Sequence, residues 1–484
     1  MALPTLRIIG FILGIFLITL AVSMLIPMFT LLVYERTDDI GAFLWSSLIT
    51  AVTGLVLLAS GRPQNAQLRP RDMYLLTTGS WLVVCIFAAL PMMQIQHMSY
   101  TDAFFETMSG ITTTGSTVLT GLDQASPGLL IWRSMLHWLG GIGFIGMAVA
   151  ILPLLRVGGM RLFQTESSDW GEKVMPRSHM AAKFILFIYI AFTLLGTLAF
   201  WLAGMSGFDA LNHAMASIST GGFSTSDQSL ANWTQPAVHW VAVVFMMIGA
   251  LPFTLYVATL RGHRQALLRD HQVHGFVGML ILTWLIFGSW LWLNSDYAWL
   301  DAFRIVAVNV TSVVTTTGFA LGDYTQWGSF AVLMFFYLTF VGGCSGSTSG
   351  GLKVFRFQVA YVLLKASLQQ LVHPRAVIKQ QYNHHNLDED IVRSLITFSF
   401  FFTITIGIIA LALTLTGLDW VTALTGAATA VCNVGPGLGP IIGPAGNFAS
   451  LPDSAKWILT AGMLLGRLEI LTVLVLFTRA FWKH

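Results

Sequence analysis

Ten mainly apolar stretches follow one another along the chain, over residues 8–33, 41–60, 73–93, 129–155, 184–203, 237–260, 276–293, 330–364, 391–415 and 457–477. As helices of ~20 residues, each is long enough to span the ~30 Å hydrocarbon core of a bilayer. The eighth is interrupted by a run of small polar residues. Some of the connections are too short to cross a membrane, yet too apolar in their flanks to be ordinary surface loops. One is "SGITTTGSTVL", residues 109–119, and another is "SVVTTTGFA", residues 312–320. Three threonines followed by glycine make a poor helix interior.

Composition sharpens this reading. The chain has 484 residues, 55% hydrophobic and 10% charged, with a mean hydropathy of +0.73. A soluble domain carries about 25% charged residues. So few polar groups cannot cover a globular surface, which predicts an all-α integral membrane protein. The first apolar run begins just after Arg7, exceeds the core of a signal peptide and lacks a convincing cleavage site, so a retained helix is expected. Cys85, Cys344 and Cys432 lie in apolar surroundings without metal-ligand spacing and are expected to be buried.

Charge placement orients the spans. With the N-terminus inside, 20 of the 25 basic residues fall in cytoplasmic segments. Arg36, Arg133, Arg304 and Lys456 are left outside, and Arg467 within the last span. That bias obeys the positive-inside rule and places both termini in the cytoplasm. Thirteen acidic residues lie outside against four bases, a field that would concentrate cations at an outer mouth. The sixteen tryptophans suit membrane interfaces.

Four outer connections repeat one pattern. They read "DAFFETMSGITTTGST" from Asp102, "DALNHAMASISTGGFST" from Asp209, "DAFRIVAVNVTSVVTTTGFA" from Asp301 and "DWVTALTGAATAVCNVGPGLG" from Asp419. Aligned on a glycine, their cores are Thr113-Thr114-Gly115, Thr220-Gly221-Gly222, Thr316-Thr317-Gly318 and Asn433-Val434-Gly435. The Asp-to-Gly spacings are 13, 13, 17 and 16. Each Asp is expected to cap a half-helix reaching ~17–20 Å, about half the membrane, before the chain turns at glycine and returns. Non-helical backbone at that depth survives only where protein buries it or it lines a wet cavity. Four such segments can meet on a pseudo-fourfold axis, with carbonyls replacing an ion's water shell and helix C-termini favouring a cation.

These loops resemble those of the Trk/Ktr/HKT superfamily of potassium transporters, and within it the bacterial TrkH/TrkG type of subunit. The resemblance covers the whole chain. It implies ten transmembrane helices plus four re-entrant pore half-helices: two extra N-terminal helices in residues 1–66, then pore repeats over 67–165, 166–265, 266–372 and 373–484. In related transporters a serine at the first filter glycine accompanies sodium selectivity. Glycine stands at all four positions here, which implies potassium. The fourth loop departs most, since Asn433, Val434 and Pro436 break the threonine-rich pattern.

"VGGCSGSTSGGLK", residues 341–353, interrupts the eighth span with Gly342, Gly343, Gly346, Gly350 and Gly351 before Lys353. In the family the corresponding stretch is an intramembrane loop that occludes the pore. The same residues fit the GxSGxxxG pattern of intramembrane serine proteases, but no His lies within the last two spans to take the Ser345 proton. Arg467 is a functional candidate because an ionised side chain inside a span is costly. Family members carry an arginine at the matching place, beneath the filter, which implies an electrostatic barrier. Glu469, two residues on, points to a different side of a continuous helix. Gly140-Gly141-Ile142-Gly143 reads as close helix packing, and His137 and His213 as locally bonded.

No phosphate-loop pattern and no stretch long enough for a soluble domain occurs in the chain. No cofactor is expected on it and no nucleic acid among its partners. The cytoplasmic loops 156–183 and 365–390 are candidates for docking. The resemblance implies a homodimer in the bacterial inner membrane, bound to a cytosolic TrkA-like nucleotide-binding ring on which ATP or NAD acts. A sodium-selective, or sodium- or proton-coupled, pathway is the alternative within transport.

Overall fold

The computed structural model describes residues 3–59, 69–150, 178–383 and 385–483. Among the described residues it is helical apart from one short antiparallel pairing, Gln381–Tyr382 with His385–Asn386, in the second candidate docking loop. Most of the first such loop, and the repeat boundaries near residues 66 and 165, lie outside the described residues.

Among the described residues, six helical segments are long and apolar enough to cross a membrane: Leu6–Val33, Thr37–Ala59, Arg71–Gln96, Ala182–Leu202, His271–Leu293 and Glu389–Thr414. Pro127–Ala150 matches them in length, at 24 residues. Large apolar side chains such as Phe29, Val56, Leu195 and Phe400 remain exposed on these segments. A surface of that kind suits lipid rather than water. In the N-terminal pair, Gly14 faces the Gly54 carbonyl so closely that a Cβ on Gly14 would stand 2.8 Å from it. Small residues at a helix contact allow such an approach.

Three expected spans are broken. Pro236–Ala250 and Phe253–Leu260 meet at 88°, and Asp453–Arg467 and Leu471–Phe477 at 106°. The interrupted span becomes Ser329–Thr339, an irregular stretch, and Val354–Val372. In the first, Pro252 has no amide hydrogen to continue the ladder. The carbonyls freed at that break are satisfied by the irregular stretch: Cys344 N donates to Ala250 O at 2.9 Å and Thr348 N to Gly249 O at 3.1 Å. In the last, Glu469 and Ile470 take positive φ of 58° and 21° and turn the chain. Backbone polar groups thus remain paired at depth, as a bilayer demands.

The centre is formed by four short helices: Tyr100–Ile111, Gly207–Ile218, Trp299–Val314 and Trp420–Cys432, of 12, 12, 16 and 13 residues. At 1.5 Å per residue they reach ~18–24 Å. Their starts differ from the expected aspartate caps. Ser99 and Ser206 are the N-caps of the first two, each accepting from the amide of Asp102 or Asp209 at 3.1 Å. Ala298 precedes the third without a side-chain cap, and only Asp419 of the fourth caps its helix directly. The aspartates of the first three lie in the first turn instead, where a negative charge suits the helix dipole.

Candidate ion filter and gate

All four short helices end in the same way. The residue two before each glycine is left-handed, with φ of 52° at Thr113, 50° at Thr220, 58° at Thr316 and 55° at Asn433. The next amide reaches back to the helix. Thr114 N donates to Ser109 O, Gly221 N to Ala216 O and Thr317 N to Ser312 O, each at 2.8 Å, and Val434 N to Thr429 O at 3.0 Å. These are Schellman closures, which use up helix-end carbonyls. Left-handed threonine is strained, since branching at Cβ disfavours positive φ. Asparagine enters that region far more readily. Asn433 therefore replaces threonine without changing the backbone, and the fourth loop stands in register with the others.

The glycines follow with φ of 87° at Gly115, 84° at Gly222, 88° at Gly318 and 111° at Gly435. Their surroundings close a ring. A Cβ on Gly115 would overlap the carbonyl of Gly221, one on Gly222 that of Thr317, and one on Gly318 that of Val434. A Cβ on Gly435 would stand 2.8 Å from the Thr114 carbonyl. Each quarter's glycine therefore admits the carbonyl just before the glycine of the next quarter. Hydrogen bonds tie the fourth quarter to the first: Ser116 Oγ donates to Gly435 O at 2.8 Å and Asn433 Nδ2 to Thr114 Oγ1 at 3.0 Å. Gly221, where its sisters have threonine or valine, is fixed by packing, because a Cβ there would run into the His137 ring. His137 is held in turn by donating from Nδ1 to the Gly110 carbonyl at 2.8 Å.

The expected gate stretch lies directly against these helix ends. Thr348 Oγ1 bonds Ile218 O at 3.0 Å and Gly249 O at 2.8 Å, and Gly350 N donates to Thr316 Oγ1 at 2.7 Å. Gly350 abuts the Cys432 carbonyl with no room for a Cβ. Gly342, Gly346, Gly351 and Lys353 all have positive φ, between 71° and 74°, so the stretch is a chain of turns. Gly343 N donates to Ser349 Oγ at 3.0 Å, and Lys353 Nζ bonds the Ser349 carbonyl. Ser345 N donates to Gln272 Oε1 at 2.6 Å.

Arg467 stands at the break of the last helix, buried, with Nη1 donating to Thr348 O at 2.8 Å and its guanidinium 3.9 Å from the Phe144 ring centroid. Its Nε and Nη2 find no hydrogen-bond partner among the described residues. Glu469 is engaged elsewhere, in a buried pair with Arg356 at 2.8 Å. The positive charge at Arg467 is therefore not cancelled by the nearest acid in sequence.

Another buried pair was not legible from charge placement, which left Arg133 on the outer side. Arg133 is only 1% exposed. Its Nε donates to Glu106 Oε1 at 2.9 Å and its Nη1 to Ser224 O at 3.0 Å, bridging the first two quarters. Its i-to-i+4 spacing from His137, which puts the two on one helix face, was the available signal.

Apolar helices around four matched loops define a helical membrane protein. The whole chain aligns with a crystal structure of the potassium transporter TrkH from Vibrio parahaemolyticus, with a TM-score of 0.91 and 34% identity over 100% of both chains. Among sequences, it is 52% identical to the Trk system potassium uptake protein TrkI of Halomonas elongata, over 98% of this chain and 96% of that one. It is 36% identical to the Trk system potassium uptake protein TrkH of Escherichia coli K12, over 98% of each. The TrkH family profile, described as a cation transport protein, matches residues 40–483. The chain belongs to the TrkH family. That family is one of transporters, so the resemblance of residues 343–350 to a protease motif has no enzymatic meaning here.

Proposed function

We propose that this chain takes potassium into a bacterial cell across the cytoplasmic membrane, through a gated pore with one ion path per chain. The observation that supports this best is the ring in which each of Gly115, Gly222, Gly318 and Gly435 abuts a carbonyl of the next quarter. Carbonyls of Thr113, Thr114, Thr220, Gly221, Thr316, Thr317, Asn433 and Val434, with those of the glycines, replace the water shell of a potassium ion. The C-terminal ends of four half-helices add negative potential where the ion rests. The names of the relatives agree with potassium as the substrate.

In this reading ten spans and four re-entrant half-helices form two N-terminal helices and four repeats, with both termini cytoplasmic. The stretch from Gly342 to Lys353 closes the path below the ion and Arg467 adds a positive barrier. A second copy forms a homodimer, and a cytosolic nucleotide-binding ring acts on the cytoplasmic loops. Rubidium uptake into proteoliposomes, with sodium competition and an imposed pH gradient, tests the function. Uptake that sodium fails to suppress supports a potassium pathway. Equal permeation of sodium and rubidium sinks it, and uptake that requires the pH gradient replaces the pore with a coupled carrier.

A further inference from the structure

Behind the loops, each half-helix carries one buried polar side chain at a matched depth. Glu106, His213 and Asn309 stand nine residues before Gly115, Gly222 and Gly318, and Thr425 ten before Gly435. All four reach the returning strand two or three residues beyond the glycine. Glu106 Oε2 accepts from Val118 N at 2.9 Å. His213 Nε2 lies 3.0 Å from Ser224 Oγ. Asn309 makes a two-way bond with Leu321, accepting from its amide and donating to its carbonyl, both at 2.9 Å. Thr425 Oγ1 accepts from Leu438 N at 3.1 Å. The histidine fits as a neutral ring: Nδ1 can only donate to the Asp209 carbonyl, at 2.8 Å, which leaves Nε2 to accept the Ser224 hydroxyl hydrogen.

Four chemistries, a carboxylate, an imidazole, an amide and a hydroxyl, thus perform one structural task. The returning strands have no ladder or helix of their own here, so side chains supply the hydrogen bonds that regular structure would supply. We propose that Glu106, His213, Asn309 and Thr425 are positioning residues that set the preference for potassium over sodium. They touch no ion. They hold the outer ends of the strands, so the carbonyl ring cannot draw in around the smaller sodium ion without breaking buried hydrogen bonds. Glu106 does this together with Arg133, which also grips the second strand through Ser224. The proposal rests on the filter reading above.

The test uses the full chain in liposomes, assayed for rubidium and sodium influx, unaltered and as Gly318→Ser, Asn309→Leu, Thr425→Val and Thr425→Ser. Asn309→Leu and Thr425→Val exchange the polar group for an apolar one of similar shape, and Thr425→Ser restores the hydroxyl. The sodium-to-rubidium flux ratio is expected to rise about fivefold in Thr425→Val, the factor for one neutral hydrogen bond, about thirtyfold in Asn309→Leu, which loses two, and to stay at the unaltered value in Thr425→Ser. A ratio that stays unaltered in both Asn309→Leu and Thr425→Val, while Gly318→Ser shifts it, overturns the bracing role and leaves the filter standing. A ratio that Gly318→Ser also leaves unaltered overturns the filter reading, and the bracing with it. Should Asn309→Leu not elute as folded protein, Thr425→Val decides alone, since it replaces a single hydroxyl by a methyl.

Discussion

Arg467 donates from Nη1 to the carbonyl of Thr348 at 2.8 Å, joining the break of the last helix to the stretch that lies against the filter helices. Among the described residues its charge has no carboxylate partner, and Glu469, the nearest acid in sequence, is bound to Arg356. Removing it relieves a repulsion on a passing cation and frees the Thr348 carbonyl. Two unit charges 4 Å apart interact by ~4 kcal/mol at an effective dielectric of 20, and a third of that is a factor of about ten. Arg467→Ala is therefore expected to raise basal rubidium influx about tenfold, and Arg467→Lys much less. Influx measured in proteoliposomes at matched protein density checks this.

Glu106 and Arg133 are both buried, and each would leave an uncompensated charge if the other were removed. Breaking such a pair from one side costs about 3–5 kcal/mol. Arg133→Met should lower the thermal unfolding temperature strongly. The double variant Glu106→Gln with Arg133→Met should recover a large part of the loss. Thermal denaturation of the detergent-solubilised protein, read as a double-mutant cycle, measures the difference.

Gly221 is the one position of the proposed filter at which the side chain of the sister loops is excluded by a neighbour. Gly221→Thr copies Thr114 and Thr317, yet it would drive a Cβ into the His137 ring. Overpacking of this kind costs typically 1–3 kcal/mol, and here it falls on a filter strand. Rubidium influx is expected to fall at least about tenfold. Pairing it with His137→Ala should restore part of the flux by opening the space.

Asp419 caps the fourth half-helix, accepting from the amides of Val421 and Thr422 at 3.1 Å. The nearby Thr422 hydroxyl and the Thr422 amide hold its carboxyl below the usual range for aspartate. A depressed carboxyl contributes stability that is present above its unfolded-state pKa and is lost as pH falls through the folded value. Asp419→Ala should cost about 1 kcal/mol at neutral pH and Asp419→Asn only part of that. Unfolding temperatures compared between neutral and strongly acidic pH should converge for the wild type and Asp419→Ala.

The four loops were legible because their backbone demands leave marks on the sequence. Gly115 and its counterparts are required by their own positive φ and by the carbonyl of the next quarter that each admits, and the half-helices require small or apolar faces. Asn433 looked like a departure because residue type was read without φ. In the structure it meets the same conformational demand by other chemistry. Charge placement oriented the spans but could not tell an exposed loop arginine from the buried Arg133, since both lie near the outer end of a helix. Hydropathy likewise saw the breaks at Pro252 and Glu469 as continuous spans. Its window averages over the one or two residues at which the chain turns; the carbonyls freed at Pro252 are satisfied by a segment about a hundred residues away in sequence, while those at Glu469 are taken up locally by the amides of Glu469 and Ile470. The bracing residues share a position rather than a residue type, so no motif search would align them.

The central claim is that four quarters coordinate one potassium-like ion at their glycines. Anomalous diffraction from crystals of the full chain grown in rubidium tests it most directly. A rubidium peak on the common axis, ringed by carbonyls of Thr114, Gly221, Thr317 and Val434, is the predicted result. A peak bound to only one or two quarters, or none on the axis while rubidium influx persists, would contradict it.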